Sequence, residues 1–166
     1  GTFFTTTALG VSSNNAADTT LIRGVVGTTS LVANTLSEGR TIRLQAVGYY
    51  NTAASAPSLR WNVKLGGTTV LTTGSLQTVA SVSTGMFDLT GLVTCWTTGG
   101  AGMVYAQGGV MMGTGATGGQ LWGMVNSGAI TLNTTGANVV EITCQWGSGA
   151  FQNEVAMTHC VGELLN

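Results

Sequence analysis

The sequence predicts an all-β protein, an antiparallel β-sandwich that is jelly-roll-like, with roughly nine or ten strands and negligible helix. Three observations predict this fold class. Many segments alternate apolar and polar side chains with period two, which is typical of strands that cover a core with one face. Turn-forming clusters rich in glycine, serine, threonine and asparagine separate these segments about every 8 to 14 residues. No segment has the 3.6-residue apolar period of an amphipathic helix.

The first 19 residues are polar apart from Phe3 and Phe4, and they lead into a first strand expected at residues 20–26. We interpret residues 1–19 as an N-terminal arm or linker in which Phe3 and Phe4 are possible anchors on a neighbouring molecule. An ordinary edge strand is the alternative. Residues 20–166 are then a single β-sandwich domain, since this length suffices for one hydrophobic core.

The clearest pattern lies between Gly39 and Gly74. Residues 41–50 and 58–65 alternate strictly and predict two strands. The pair Gly66-Gly67 follows and predicts a tight hairpin turn, because both central positions of the favoured turn need a positive φ. The return strand is expected at residues 68–73.

Both faces of the strand expected at residues 86–96 are apolar. One face holds Phe87, Leu89, Val93 and Cys95, and the other holds Met86, Leu92 and Trp96. A strand of a monomeric sandwich should keep one face wet, so we expect a second subunit to cover this one. Subunit contacts are therefore assigned to the sheet formed by residues 86–112. The polar face of the preceding unit, with Arg43, Arg60 and Lys64, is expected to be the wet side of the fold.

The remaining strands follow from the same alternation and from the glycine-rich breaks between them. They are expected at residues 31–36, 77–82, 103–112, 120–125, 129–132, 139–146 and 155–165. Trp61 and Trp146 fall on apolar faces and are assigned to the core.

Composition limits the partners of the chain. Only 7% of the residues are charged, against about 25% in a typical soluble domain. The net charge of −1 gives no basic surface for nucleic acid. No apolar run reaches the roughly 18 residues of a membrane-spanning helix, so no membrane insertion is expected. So few charges protect a monomer poorly against association, which favours an oligomer.

The sequence contains no recognisable catalytic, metal-binding or cofactor-binding set. Cys95, Cys144 and Cys160 include no CxxC pair, and we expect free, buried thiols; one disulfide plus one free thiol is the alternative. His159 is the only histidine, and as a strand neighbour of Cys160 it should point to the opposite face.

A glycine motif, GxGxxG at Gly113, Gly115 and Gly118, has no helical pattern after it. In a dinucleotide site that helix would hold the pyrophosphate, so nucleotide binding is not expected.

Three aromatic residues are candidates for a ligand or interface surface. Trp96 and Trp122 border glycine-rich loops, and Tyr105 lies on the strand between them. Exposed aromatic rings and side-chain amides can bind carbohydrate, so a carbohydrate-binding module of a secreted protein is an alternative function.

Part of the chain resembles a family of β-sandwich domains found in structural proteins of tailed phages. The likeness is carried by Ser30–Gly74 with its GGTTVL hairpin, by VEITCQWG at residues 140–147, and by GELLN at residues 162–166. The resemblance implies a jelly-roll-like virion component, often trimeric, at fibre tips, spikes or capsid decorations. It carries over no catalytic residues.

Together these observations predict a non-enzymatic virion structural protein, a homotrimeric fibre or appendage domain on a phage surface. Its expected partners are copies of itself, other virion proteins and a host cell-surface glycan. A capsid decoration protein is the alternative within the same class.

Overall fold

A computed structural model describes residues 1–114, 118–126 and 128–166, and it confirms the all-β antiparallel sandwich. The described residues form fifteen strands and no helix. Accordingly, no helix in the described ranges is long and apolar enough to span a membrane.

The strands, numbered in chain order, are β1 (Thr2–Thr6), β2 (Gly10–Ser13), β3 (Thr19–Thr20), β4 (Val25–Gly27), β5 (Ser30–Leu31), β6 (Thr41–Asn51), β7 (Ser58–Leu65), β8 (Thr68–Thr72), β9 (Leu76–Gln77), β10 (Gly85–Thr97), β11 (Gly102–Gly113), β12 (Gly119–Val125), β13 (Ile130–Leu132), β14 (Asn138–Trp146) and β15 (Glu154–Leu165). The long strands match the predicted alternation, and β7 has the predicted bounds. The segment expected at residues 77–82 contributes only the short strand β9, because Thr78 and Val82 instead bond to loop backbone and to Thr52.

Two sheets face each other across the core. The large sheet has the order β12-β11-β10-β6-β15-β1-β4, with β13 on β11 and β2 on β15. The small sheet has the order β3-β14-β7-β8, with β5 on β14 and β9 on β7. The short strands β3 and β5 lie on the small sheet between β2, β4 and β6 of the large one, and the chain crosses again after β6, after β9, before β14 and before β15.

The core fills the space between the two sheets with the apolar faces that the alternation defined. Trp61 and Trp146 are buried, as predicted. The Trp61 ring contacts Phe87 of the opposite sheet with ring centroids 4.7 Å apart. A tilted aromatic pair of this kind adds about 0.5–1.5 kcal/mol beyond its buried area, so it helps to fix the two sheets together.

The Gly66-Gly67 hairpin between β7 and β8 is confirmed. The two glycines have φ of 54° and 81°, the left-handed conformation that this turn needs at both positions.

The side chains expected to form one wet face are divided between the two sheets, although Arg43 and Arg60 are both exposed. The loop around Pro57 carries the chain from one sheet to the other, so β6 and β7 do not pair. Arg60 and Lys64 lie on the small sheet, whereas Arg43 lies beside Leu92 on the large sheet. Arg43 therefore shares a sheet face with the strands assigned to subunit contact.

The N-terminal segment is also different from the arm or linker that we interpreted. β1 lies inside the large sheet between β15 and β4, and β2 pairs with the start of β15. Phe4 is 1% exposed and Phe3 is half-buried, so Phe4 fills the core of its own chain instead of anchoring a free arm. The alternative of an edge strand is right that these residues form a strand, but β1 lies between β15 and β4, and it is β4 that stands at the edge.

Candidate functional surface

The outward side of β10, β11 and β12 is an apolar surface, which we call the outer face. Along β10 and β11 most inward side chains are buried, and along all three strands the alternate side chains point away from the core. The outer face exposes eight large apolar side chains, among them Leu121 at 71% and Val125 at 68%. The full set is Met86, Leu92, Trp96, Met103, Tyr105, Met111, Leu121 and Val125.

Strand register arranges these side chains in rows across the sheet. Leu121 lies beside Met111, which lies beside Asp88. Four residues further along, Val125 lies beside Gln107, and Gln107 beside Leu92. The two rows form ridges, because directly opposite side chains on one face stand about 5 Å apart.

A shallow trough separates the two ridges. Its row runs through Gly123, Gly109, Thr90 and Gln45, where two residues carry no side chain. A hollow of about 610 Å³ lies between Gln45 and Thr90 of this row and Leu92, Gln107 and Val125 of the second ridge. A second hollow of about 530 Å³ lies beside it, against Val47, Met86 and Met111. The outer face thus has ridges and grooves into which another protein surface can fit.

The charged groups on this side of the sheet differ in whether they have a hydrogen-bond or ion-pair partner. The Arg43 guanidinium pairs with Glu163 of β15, with Nε and Nη2 at 2.6 and 2.5 Å from Oε2. Oδ1 of Asp88 is buried and has no hydrogen-bond partner among the described residues. A buried carboxylate oxygen without a donor is costly, so Asp88 is an unfavourable position in this sheet.

The three predicted aromatic candidates do not form one group. Trp96 and Tyr105 meet edge to face, with ring centroids 5.9 Å apart, and both are exposed. Trp122 pairs with buried Val110, so it faces inward and packs half-buried against the core. The expectation that Trp122 belongs to an exposed ligand surface is therefore wrong, because Leu121 and not Trp122 occupies the outward position of β12.

Leu121 and Val125, the most exposed members of the outer face, were not singled out from the sequence. The same alternation indicates that both side chains point outward, since both lie on the opposite side of β12 from buried Met124.

No reactive constellation accompanies this surface in the described parts of the chain. His159 is exposed beside Val47, while the neighbouring Cys160 is buried on the other side, as predicted. The three cysteines are free and buried, as predicted. Among the described residues, no three His, Cys, Asp or Glu side chains come together as a metal site.

The glycine motif at residues 113–118 falls partly outside the described residues, since Gly115 is among those not described. On either side of it, Gly113 ends β11 and Gly119 begins β12, its antiparallel partner. The loop therefore joins two strands, and no helix N-terminus follows it to receive a phosphate.

No protein-family model, curated protein or solved structure matches the chain. The resemblance to phage structural proteins therefore stays a prediction, and function has to be argued from the chain itself.

Proposed function

We propose that the protein is a non-enzymatic structural protein of the phage surface that assembles as a homotrimer through the outer face. The observation that carries this proposal is the set of eight exposed apolar side chains on β10–β12, which a solitary chain leaves in water. Monomeric soluble proteins rarely expose contiguous apolar patches of more than a few hundred Å².

The size of this surface suits a specific interface. The three strands of the outer face, together with β6 and β15 beside them, are spaced about 4.8 Å apart; over about 30 Å of length these five strands present roughly 700 Å². A standard interface buries about 800 Å² on each partner. At about 25 cal/mol per Å² of apolar area, covering this face supplies a substantial driving force for association.

The low charge of the chain supports the same proposal. Three ionised groups, Arg43, Asp88 and Glu163, lie among the central rows of this sheet, and two of them already pair with each other. Burial of the outer face would therefore leave few charges unpaired. Unpaired buried charge is the usual obstacle to a large interface.

The phage assignment rests on the resemblance of the Ser30–Gly74 and C-terminal segments, and a fibre or appendage domain is preferred within it. Truncation of the N-terminus cannot separate this from a capsid decoration protein, because it would remove β1 from the middle of the sheet. Immunogold labelling of virus particles with an antibody to the chain can. We expect label on tail appendages; label on the capsid shell favours decoration, and unlabelled particles contradict both.

A matched pair of substitutions tests the interface. Val125→Glu places a charge on the outer face, and Val32→Glu places the same charge at a residue of similar exposure, 70% against 68%, outside these strands. We expect Val125→Glu to dissociate the oligomer and Val32→Glu to leave it intact, measured by light scattering with circular dichroism to confirm folding. If both variants keep the wild-type mass, the interface lies elsewhere.

The exposed Trp96–Tyr105 pair supports a second candidate function, a carbohydrate-binding module. In that case the chain should bind glycans as a monomer, and Trp96→Ala should abolish binding on a glycan array. Under the structural proposal the same variant weakens assembly instead.

A further inference from the structure

A second cleft, of about 610 Å³, lies at the end of the sandwich where β6 ends and β10 begins. Four chain segments line it, at residues 13–14, 51–54, 81–84 and 151–154. Trp96 lies near the opposite end of β10, a strand of 13 residues that spans about 40 Å. The cleft is therefore separate from the aromatic pair, and its volume falls in the range of about 300–1,000 Å³ that is typical of small-molecule sites.

The lining is polar but almost uncharged. Nine of its twelve residues have polar side chains, and Glu154 is the only one that carries a charge. No lysine or arginine lines the cleft, so it is not built for a phosphate or another anion. A single carboxylate is also too few for a metal site.

Side-chain amides hold the walls together and fix their shape. Asn51 accepts a hydrogen bond from the Thr84 backbone N–H at 2.7 Å and donates one to Glu154 at 3.3 Å. Asn14 accepts a hydrogen bond from the Gln152 backbone N–H at 3.1 Å. The cleft is thus preorganised by contacts between segments that are distant in the sequence, which lowers the entropic cost of binding.

Backbone strain is concentrated around the same cleft. Four of the six non-glycine residues with positive φ in the described chain line it: Asn14, Ser81, Thr84 and Gln152, with φ between 52° and 81°. For a β-branched residue such as Thr84 this conformation is a genuine outlier. Strained residues cluster at binding sites, where the surrounding structure enforces them.

Several polar groups of the cleft make no hydrogen bond in the described parts of the chain, and their chemistry suits the surface of a sugar. The hydroxyls of Ser81, Ser83 and Thr84 make no hydrogen bond within the described residues, and Glu154 bonds through only one carboxylate oxygen. Phe151 stands at the rim with 79% of its surface exposed. Hydroxyls and a carboxylate can bond the hydroxyl groups of a pyranose, while an aromatic ring covers its apolar C–H side.

From these observations we propose that this cleft binds a neutral saccharide, with Phe151 stacking on the sugar ring and Glu154 accepting hydrogen bonds from its hydroxyl groups. The cleft is built from a single chain, so the inference goes beyond the proposed function and does not depend on the oligomeric state.

The experiment measures binding of the full chain to an immobilised panel of neutral oligosaccharides that end in glucose, galactose, mannose or N-acetylhexosamine. Phe151→Ala and Glu154→Gln test the cleft, and Val32→Ala, an exposed apolar residue that lines neither the cleft nor the outer face, is the matched control. We expect saturable binding of at least one terminal sugar, weakened about tenfold or more by each cleft variant and changed less than about twofold by the control.

Two results would overturn the inference: no binding to any glycan of the panel, or binding that persists in both cleft variants. Phe151 is largely exposed, so its replacement should not unfold the protein, and circular dichroism checks this. Light scattering on the same samples separates the two proposals. A monomer that binds sugar supports the cleft and contradicts the trimer, whereas a trimer without binding does the reverse.

Discussion

At the residue scale, the cysteines behave as small apolar core groups. Burial raises the pKa of the Cys144 and Cys160 thiols to about 12, with a smaller contribution at Cys144 from the nearby Asp18 charge. Burial and the Glu38 charge also raise the pKa of Cys95. Since only the thiolate is nucleophilic, a thiol with a pKa near 12 is inert at neutral pH.

We therefore expect none of the three thiols to react with a chromogenic disulfide reagent in the native protein at pH 7. In denaturant all three should react, because unfolding removes their burial. A thiol that reacts rapidly under native conditions would contradict the packing described for that cysteine.

The Asp18–Lys64 ion pair makes stability depend on pH. Burial tends to raise the pKa of Asp18, but hydrogen bonds from Lys64, Thr143 and Asn62 and the Lys64 charge outweigh it and hold the pKa below its ordinary value of 3.8. A carboxyl with a lowered folded-state pKa stabilises the fold above the unfolded-state value, and this contribution disappears as the pH falls through the folded-state value.

Asp18→Asn should accordingly lower the melting temperature near neutral pH and narrow its gap to the wild type below about pH 4. Thermal unfolding across a pH series measures this. Glu38→Gln is the control, because it removes an exposed carboxylate with no ion pair among the described residues. An equal gap for Asp18→Asn at all pH values would refute the assignment.

At the element scale, alternation located the long strands well but not their partners. β6 and β7 have equally clear patterns, yet they join different sheets, because pairing depends on the path of the loop between them. The period of two indicates which side chains of a strand share a face, but it does not indicate to which sheet the strand belongs. The position of Arg43 on the apolar sheet is a consequence of that missing information.

The N-terminal strand gives a prediction at the same scale. Phe4 is buried against β15, where Gly162 leaves room for its ring. Phe4→Ala should lower the free energy of unfolding by about 3–5 kcal/mol in urea denaturation. Phe151→Ala, which truncates an exposed ring, should change it by less than about 0.5 kcal/mol. Similar values for the two variants would mean that β1 is not part of the folded sheet.

At the scale of the whole molecule, the outer face was predictable in part. Met86, Leu92 and Trp96 already marked one strand as apolar on both sides. The trough and the polar cleft were not predictable, because each is assembled from strands or loops that are remote in sequence. In the sequence, Asn14, Asn51 and Gln152 are indistinguishable from ordinary loop residues, and only the fold places them together around the polar cleft.

The central claim is that the outer face is covered by further copies of the chain, and mass in solution by light scattering tests it most directly. The chain mass is 16.8 kDa. We predict a mass close to three times this value for the wild type and a return to the chain mass in Val125→Glu. A wild-type mass near 16.8 kDa would contradict the account, since the apolar outer face would then be open to water.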